Sequence, residues 1–250
     1  MTVDVIMTVQ GASEGTTRAI ERSPALLGWE TGNTDPLPNA NVEFLDWPFT
    51  HDDPSLEDHI AAAKEHRPRY AVAPDIEGDW TLDRVLDAAA ELDEYAETVI
   101  VVPKAVPPNR VPDRYRLGLP NQPAWGSDGS WPKWEYADWR VHVLGGSPTD
   151  QREEVGAYTT VGSVDGANVA AYAEYGRIWT PSGQIEQPNR SYYERIEASL
   201  TNVWRAWNEP GEENCRECGT RLGAGYLCDD CDTLTVQQPA LADGGATDAE

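Results

Sequence analysis

RYAVAPDIEGDWTLDRVLDAAAELDEYAETVIVVPK, residues 69–104, decides the fold class. Its opening run, RYAVAPD (69–75), is apolar, meets Pro74 and closes on Asp75, which predicts a strand. Residues 81–96 place Leu82, Val85, Leu86, Ala89 and Leu92 on one face of a helix. ETVIVVPK (97–104) is a second apolar run and ends in Lys104. Strand, helix and strand in so short a span make a βαβ unit with parallel strands. Strands this continuously apolar suit a sheet covered on both faces.

The pattern extends in both directions. VDVIMTV (3–9), NVEFLDW (41–47), RVHVLGG (140–146) and TTVGSVD (159–165) read as further strands. PSLEDHIAAAKEH (54–66) and SYYERIEASLTNVWRAWNE (191–209) read as helices, the former with Pro54 near its start. An α/β fold follows. A (β/α) barrel of TIM type, complete or incomplete, and an open doubly wound sheet both fit; the barrel is the expectation for residues 1–210. The segment 105–139 breaks the rhythm and predicts no element. A loop that long in a compact domain is usually functional or disordered. Trp125, Trp131, Trp134 and Trp139 argue that this one is ordered and packed. Residues 235–250 are polar and acidic and read as a disordered tail.

The 250 residues carry a formal net charge of −24, and 40% of them are apolar. The only lysines are Lys64, Lys104 and Lys133. An acidic, lysine-poor surface suits molar salt, where a Debye length of about 3 Å screens self-repulsion. The acidity runs through the whole chain, so a salt-adapted protein is expected rather than one with an acidic tail alone. No run is apolar enough to span a bilayer and no signal peptide is visible, so a cytoplasmic protein without membrane contact is expected. Strong negative charge disfavours nucleic acid as a partner. In a salt-adapted protein the global charge reports the solvent, however, and binding depends on local clusters; Arg110, Arg114 and Arg116 are one candidate, with scattered surface arginines the alternative.

Cys215, Cys218, Cys228 and Cys231 form two C-x2-C pairs. Four thiolates at this spacing fit tetrahedral zinc at about 2.3 Å. Two disulfides are the alternative, disfavoured in a reducing compartment. Four protein ligands close the shell, so the expected zinc is structural, in a small ribbon over residues 211–234.

Polar residues fall where predicted strands end. Asp46 follows VEFL, Asp75 closes YAVAPD, Lys104 closes VIVVPK, Gly145 and Gly146 close VHVL, and Asp165 closes VGSVD. The C-terminal ends of parallel strands converge on one rim, where barrel active sites lie. A single aspartate there is as readily a helix N-cap; the ordered series is harder to explain so. His142 alternates with apolar neighbours and reads as structural.

The order FLDWPF, VAPDIEGD, VVPKAV, VHVLGGSP, VGSVDGAN resembles the catalytic barrel of the tRNA-guanine transglycosylases over roughly residues 40–185. It is most similar to the short branch that inserts 7-deazaguanine bases into DNA, seen in viruses and mobile islands. The resemblance implies a transglycosylase that exchanges guanine for a 7-deazaguanine base of the preQ0 type in DNA. By it, Asp165 is the nucleophile and Asp46 the general acid/base. Asp75, Lys104, Gly145 and Gly146 bind the substrate, with Asp46 and Asp75 interchangeable. Lys104 stands where the family has a glutamine, and four cysteines replace three cysteines and a histidine. The alternatives are the same chemistry on tRNA, or a non-catalytic zinc-ribbon module that binds nucleic acid or protein.

Overall fold

The computed structural model describes residues 2–209 except 10–12, 50, 52, 122–130, 157–158 and 167. Eight parallel strands close a barrel in chain order. They are β1 (Asp4–Val9), β2 (Leu26–Glu30), β3 (Phe44–Asp46), β4 (Tyr70–Val72), β5 (Thr98–Val101), β6 (Arg116–Pro120), β7 (Arg140–Leu144) and β8 (Thr160–Asp165). β1 pairs with β8 as well as with β2, so the barrel expectation holds and the open sheet does not. The helices are α1 (Glu14–Arg22), α2 (Leu56–His66), α3 (Leu82–Leu92), α4 (Pro148–Asp150), α5 (Asn168–Glu174) and α6 (Tyr192–Asn208). α4 runs on into a π-helical turn, Gln151–Val155. An antiparallel hairpin, β9 (Arg177–Thr180) and β10 (Gly183–Glu186), precedes α6.

The sheet is complete and the helical ring is not. Among the described residues no α-helix connects β2 to β3, β5 to β6 or β6 to β7. Among the described residues two of these crossovers carry 3₁₀ turns instead, Pro108–Arg110 and Lys133–Tyr136. Trp131 and Trp139 pack against the outer core there, while Trp134 is exposed; Trp125 lies outside the described residues.

Alternation along the strands sorts side chains into two layers. Ile6, Phe44, Tyr70, Val72, Ile100 and Val102 fill the lumen together with Trp47. Their neighbours Val5, Met7, Leu45, Ala71, Val99 and Val101 belong to the larger core between barrel and helices. Full burial of such side chains stabilises by about 1.5–3 kcal/mol each. Two strands, β2 and β6, were not expected from the sequence, and β6 corrects the reading of 105–139 as elementless. Both carry a mid-strand glycine, which weakens the strand signal. The lumen requires those glycines. A Cβ on Gly28 would stand 2.8 Å from Thr8 Oγ1, and one on Gly118 would stand 2.8 Å from Val102 Cγ2.

Helices are anchored by their caps. Ser55 and Thr81 accept backbone N–H groups at the starts of α2 and α3, and Ser191 with Glu194 makes a full capping box for α6. α6 packs on α1 and the hairpin, where Asn202 Nδ2 donates to the Trp179 carbonyl at 2.9 Å and Ser199 Oγ accepts the Trp179 amide at 3.0 Å. At its end, Asn208 clasps both backbone groups of Val3, accepting at 2.7 Å and donating at 2.9 Å.

α2 is tied to the barrel by His59, which is wholly buried. Its ring nitrogens meet Thr31 Oγ1 and the Val72 carbonyl, each at 2.9 Å. Burial lowers its pKa from 6.5 to about 4, against the smaller opposing pull of the Val72 carbonyl. As pH falls below 6.5 the unfolded imidazole takes a proton that the folded one refuses. Stability from this group is therefore lost between pH 6.5 and 4, amounting to about 3 kcal/mol at the lower end. Urea unfolding at pH 7 and pH 4 should show His59→Gln losing less stability than wild type by about that amount. Parallel losses in the two proteins would refute the assignment.

Candidate active site

The residues at the C-terminal strand ends point inward by the same alternation that fills the lumen. Glu30 ends β2, Asp46 ends β3, and the register places them side by side. Asp165 ends β8, and Asp75 follows β4. All four carboxylates are buried, at 5–8% exposure. Burying charge so densely is costly unless protons or partners offset it.

Asp46 shows the consequence. Burial pushes its carboxyl well above the ordinary carboxylate range, and the Asp165, Glu30 and Asp75 charges push it further, against one backbone hydrogen bond at Trp47. This carboxyl holds a proton more tightly than an exposed one. Asp75 is raised by burial too, but the Lys104 ammonium at 2.6 Å pulls it back. Lys104 also reaches Glu77 at 2.8 Å; burial disfavours its charge, and the two carboxylates overcome that and raise its pKa. Glu30 lies 3.5 Å from the His51 ring.

Asp165 is held differently. The Gly145 amide donates to Oδ1 at 2.9 Å, and the Thr8 hydroxyl donates to Oδ2 at 3.4 Å. Gly145 and Gly146 have φ of 67° and 84°, the left-handed region that favours glycine. A Cβ on Gly146 would also come within 2.6 Å of Asn121 Nδ2. Two amide side chains lock this turn. Gln151 Nε2, on the π-helical turn, donates to the carbonyls of Gly145 at 2.8 Å and Asp165 at 2.7 Å. Asn168 Nδ2 donates to the Gly146 carbonyl at 2.7 Å. π-turns of this kind recur at functional sites.

Asp46, Asp75, Lys104, Gly145, Gly146 and Asp165 therefore share one rim. The expected use of both glycine amides on a ligand meets one difference, since the Gly145 amide is occupied by Asp165. Sequence reading missed Glu30, because β2 itself was hidden, and missed Thr8, Gln151 and Asn168. The available signal was SPTDQ after the glycine pair, a capped helix start whose fifth residue turns back to the strands.

The three arginines do not form one basic surface. Arg110 and Arg114 are exposed, but Arg116 turns into the barrel, donating to Ser163 Oγ at 3.2 Å and lying 5.1 Å from the Tyr70 ring centre. Phe49 is exposed at the rim, with Lys104 Nζ 5.6 Å from its ring centre. Among the described residues no group of three or more His, Cys, Asp or Glu side chains is placed to hold a metal. Cys215, Cys218, Cys228 and Cys231 lie outside the described residues, as does the expected tail. Among the described residues no helix is long and apolar enough to cross a membrane.

No curated protein matches the sequence. Among solved structures, a chain of tryptophan synthase from M. tuberculosis, in its open form with BRD0059 bound, is similar at 10% identity and a TM-score of 0.38. That similarity covers 82% of this chain and 93% of that one. Residues 26–208 match the family described as "Family of unknown function (DUF6610)". That span is well over half of the sequence, and the chain belongs to this family.

Proposed function

We propose that the protein is a transglycosylase that exchanges guanine for a 7-deazaguanine base in DNA through a glycosyl-enzyme intermediate. The observation that carries this reading is the pairing of Asp46 and Asp165. One buried carboxyl is pushed toward its protonated form, and its neighbour is presented by an amide and a hydroxyl. A proton donor beside a carboxylate nucleophile is what displacement at a glycosidic carbon needs.

In this scheme Asp165 attacks C1′ of the nucleotide, forming a carbon–oxygen bond as the bond from C1′ to the base nitrogen breaks. The base leaves with the electron pair and takes its proton from Asp46. The incoming base gives its proton to Asp46, attacks C1′ and releases Asp165, so no net charge or electrons are transferred. Glu30 supports Asp46 as an acid by opposing its ionisation. Asp75, oriented by Lys104, accepts from the N1–H and exocyclic amine of a guanine-like edge. Phe49 offers an aromatic face to the flipped base, whose removal from the stack costs a few kcal/mol.

The test is incubation of purified protein with labelled guanine-containing DNA, tRNA and a 7-deazaguanine base, followed by nucleoside mass spectrometry. Base exchange in DNA supports the reading. Exchange in tRNA alone shifts it to the tRNA-directed enzyme, and exchange in neither leaves a binding module.

Zinc belongs to the same proposal. The donor set of Cys215, Cys218, Cys228 and Cys231 fits a closed structural shell of four thiolates. Metal analysis is expected to find about one zinc per chain. Cys218→Ser and Cys228→Ser should each lose it, and full retention in both would remove the site.

A further inference from the structure

We infer that His142 is a positioning residue for Asp165: from inside the lumen its Nε2–H donates to Oδ1, leaving Oδ2 as the attacking oxygen. The choice of attacking oxygen rests on the proposed glycosyl transfer; the hydrogen-bond direction does not.

His142 lies on β7, three residues before Gly145, and is completely buried. Its ring stacks on Phe44, with centres 5.1 Å apart and planes 27° apart, so the ring cannot swing freely. Nδ1 lies 2.9 Å from Ser163 Oγ. That hydroxyl already accepts from Arg116 Nη1 at 3.2 Å. Arg116 cannot accept, so of these two contacts Nδ1 is the acceptor for the hydroxyl's own proton, which leaves the ring proton on Nε2.

Nε2 is buried and has no hydrogen-bond partner at ordinary distance, and it faces Asp165 Oδ1 at 3.6 Å. That separation is longer than a formed hydrogen bond. Catalytic hydrogen bonds are often long without ligand and tighten when substrate is seated. Oδ1 then carries two N–H donors, from Gly145 and His142, while Oδ2 has only the Thr8 hydroxyl at 3.4 Å. The less engaged oxygen is the better nucleophile. The other groups around Asp165 are the Asp46 carboxyl from β3, and Gln151 from the π-turn, which holds the Asp165 carbonyl.

The full-length protein tests this by NMR. Long-range proton–nitrogen correlations should show His142 protonated at Nε2; a neutral ring protonated at Nδ1 overturns the inference. At one fixed pH the Asp165 carboxyl carbon resonance should move in His142→Phe, since a donor facing Oδ1 is lost. His142→Gln, which keeps a donor, should restore most of the wild-type position. Equal resonances in the three proteins also overturn it. Should His142→Phe not fold, the tautomer of the wild-type ring carries the test, since it needs no variant. None of these readouts needs turnover. A protein that shows them yet exchanges no base loses the proposed function and keeps the positioning.

Discussion

Asp165→Asn is expected to abolish base exchange, a loss of roughly 10⁴-fold or more, and with it any protein–nucleic acid adduct that survives denaturation. An amide is a poor nucleophile toward C1′, yet it is nearly the same shape as the carboxylate. Its oxygen can still accept the Gly145 amide, and its nitrogen can donate to Thr8 Oγ1, so both contacts of the site survive in altered form. The fold should persist, which separates lost chemistry from lost structure. Denaturing gels with guanine-containing DNA, with and without a 7-deazaguanine base, give the adduct; thermal melting gives the fold. A variant that melts normally and exchanges at the wild-type rate would transfer the nucleophile role to Asp46 or Asp75.

Asp46→Asn should lose activity and gain stability together. The folded pKa of Asp46 lies above its unfolded value, so folding favours the protonated form. Its contribution is fully present below the unfolded value, near 3.8, and is lost as pH rises through the folded value. Each unit of upward shift corresponds to about 1.4 kcal/mol of destabilisation once the group is ionised. Asparagine carries no charge to bury beside Asp165 and Glu30. The melting-temperature gain should therefore be largest at alkaline pH and shrink on acidification. Exchange should fall by about 10²–10⁴-fold, the usual contribution of a general acid. A variant less stable than wild type across the whole pH range would show that Asp46 is a structural carboxylate and not one held under repulsion.

The rim was partly visible before the fold was known. Asp46, Asp75 and Asp165 each end an apolar run, and parallel strands bring such ends together. Glu30 sits equally at a strand end, but LLGWE is short and interrupted by Gly28, whose value is apparent only once Thr8 and Phe44 close around it. Gln151 and Asn168 could not be found by strand-end logic. They act from the helices after β7 and β8, and their roles depend on where those helices re-enter the barrel. His142 read as structural from its apolar neighbours, and burial agrees. The direction of its ring depends on Ser163 and Arg116, which the sequence places on separate strands.

Asn208 grips Val3 across 205 residues, and β1 finds its second neighbour only in β8. On the ribosome, β1 waits for α6, the last helix among the described residues. At roughly 5–20 residues per second, about 10–40 s separate the two ends of that clasp. Throughout that interval the free edge of β1, with Val5 and Met7 on its outer face, is a template for any other extended chain. Yield in a foreign host should therefore depend on elongation speed and on chaperones that shield nascent strands, more than on the stability of the finished barrel.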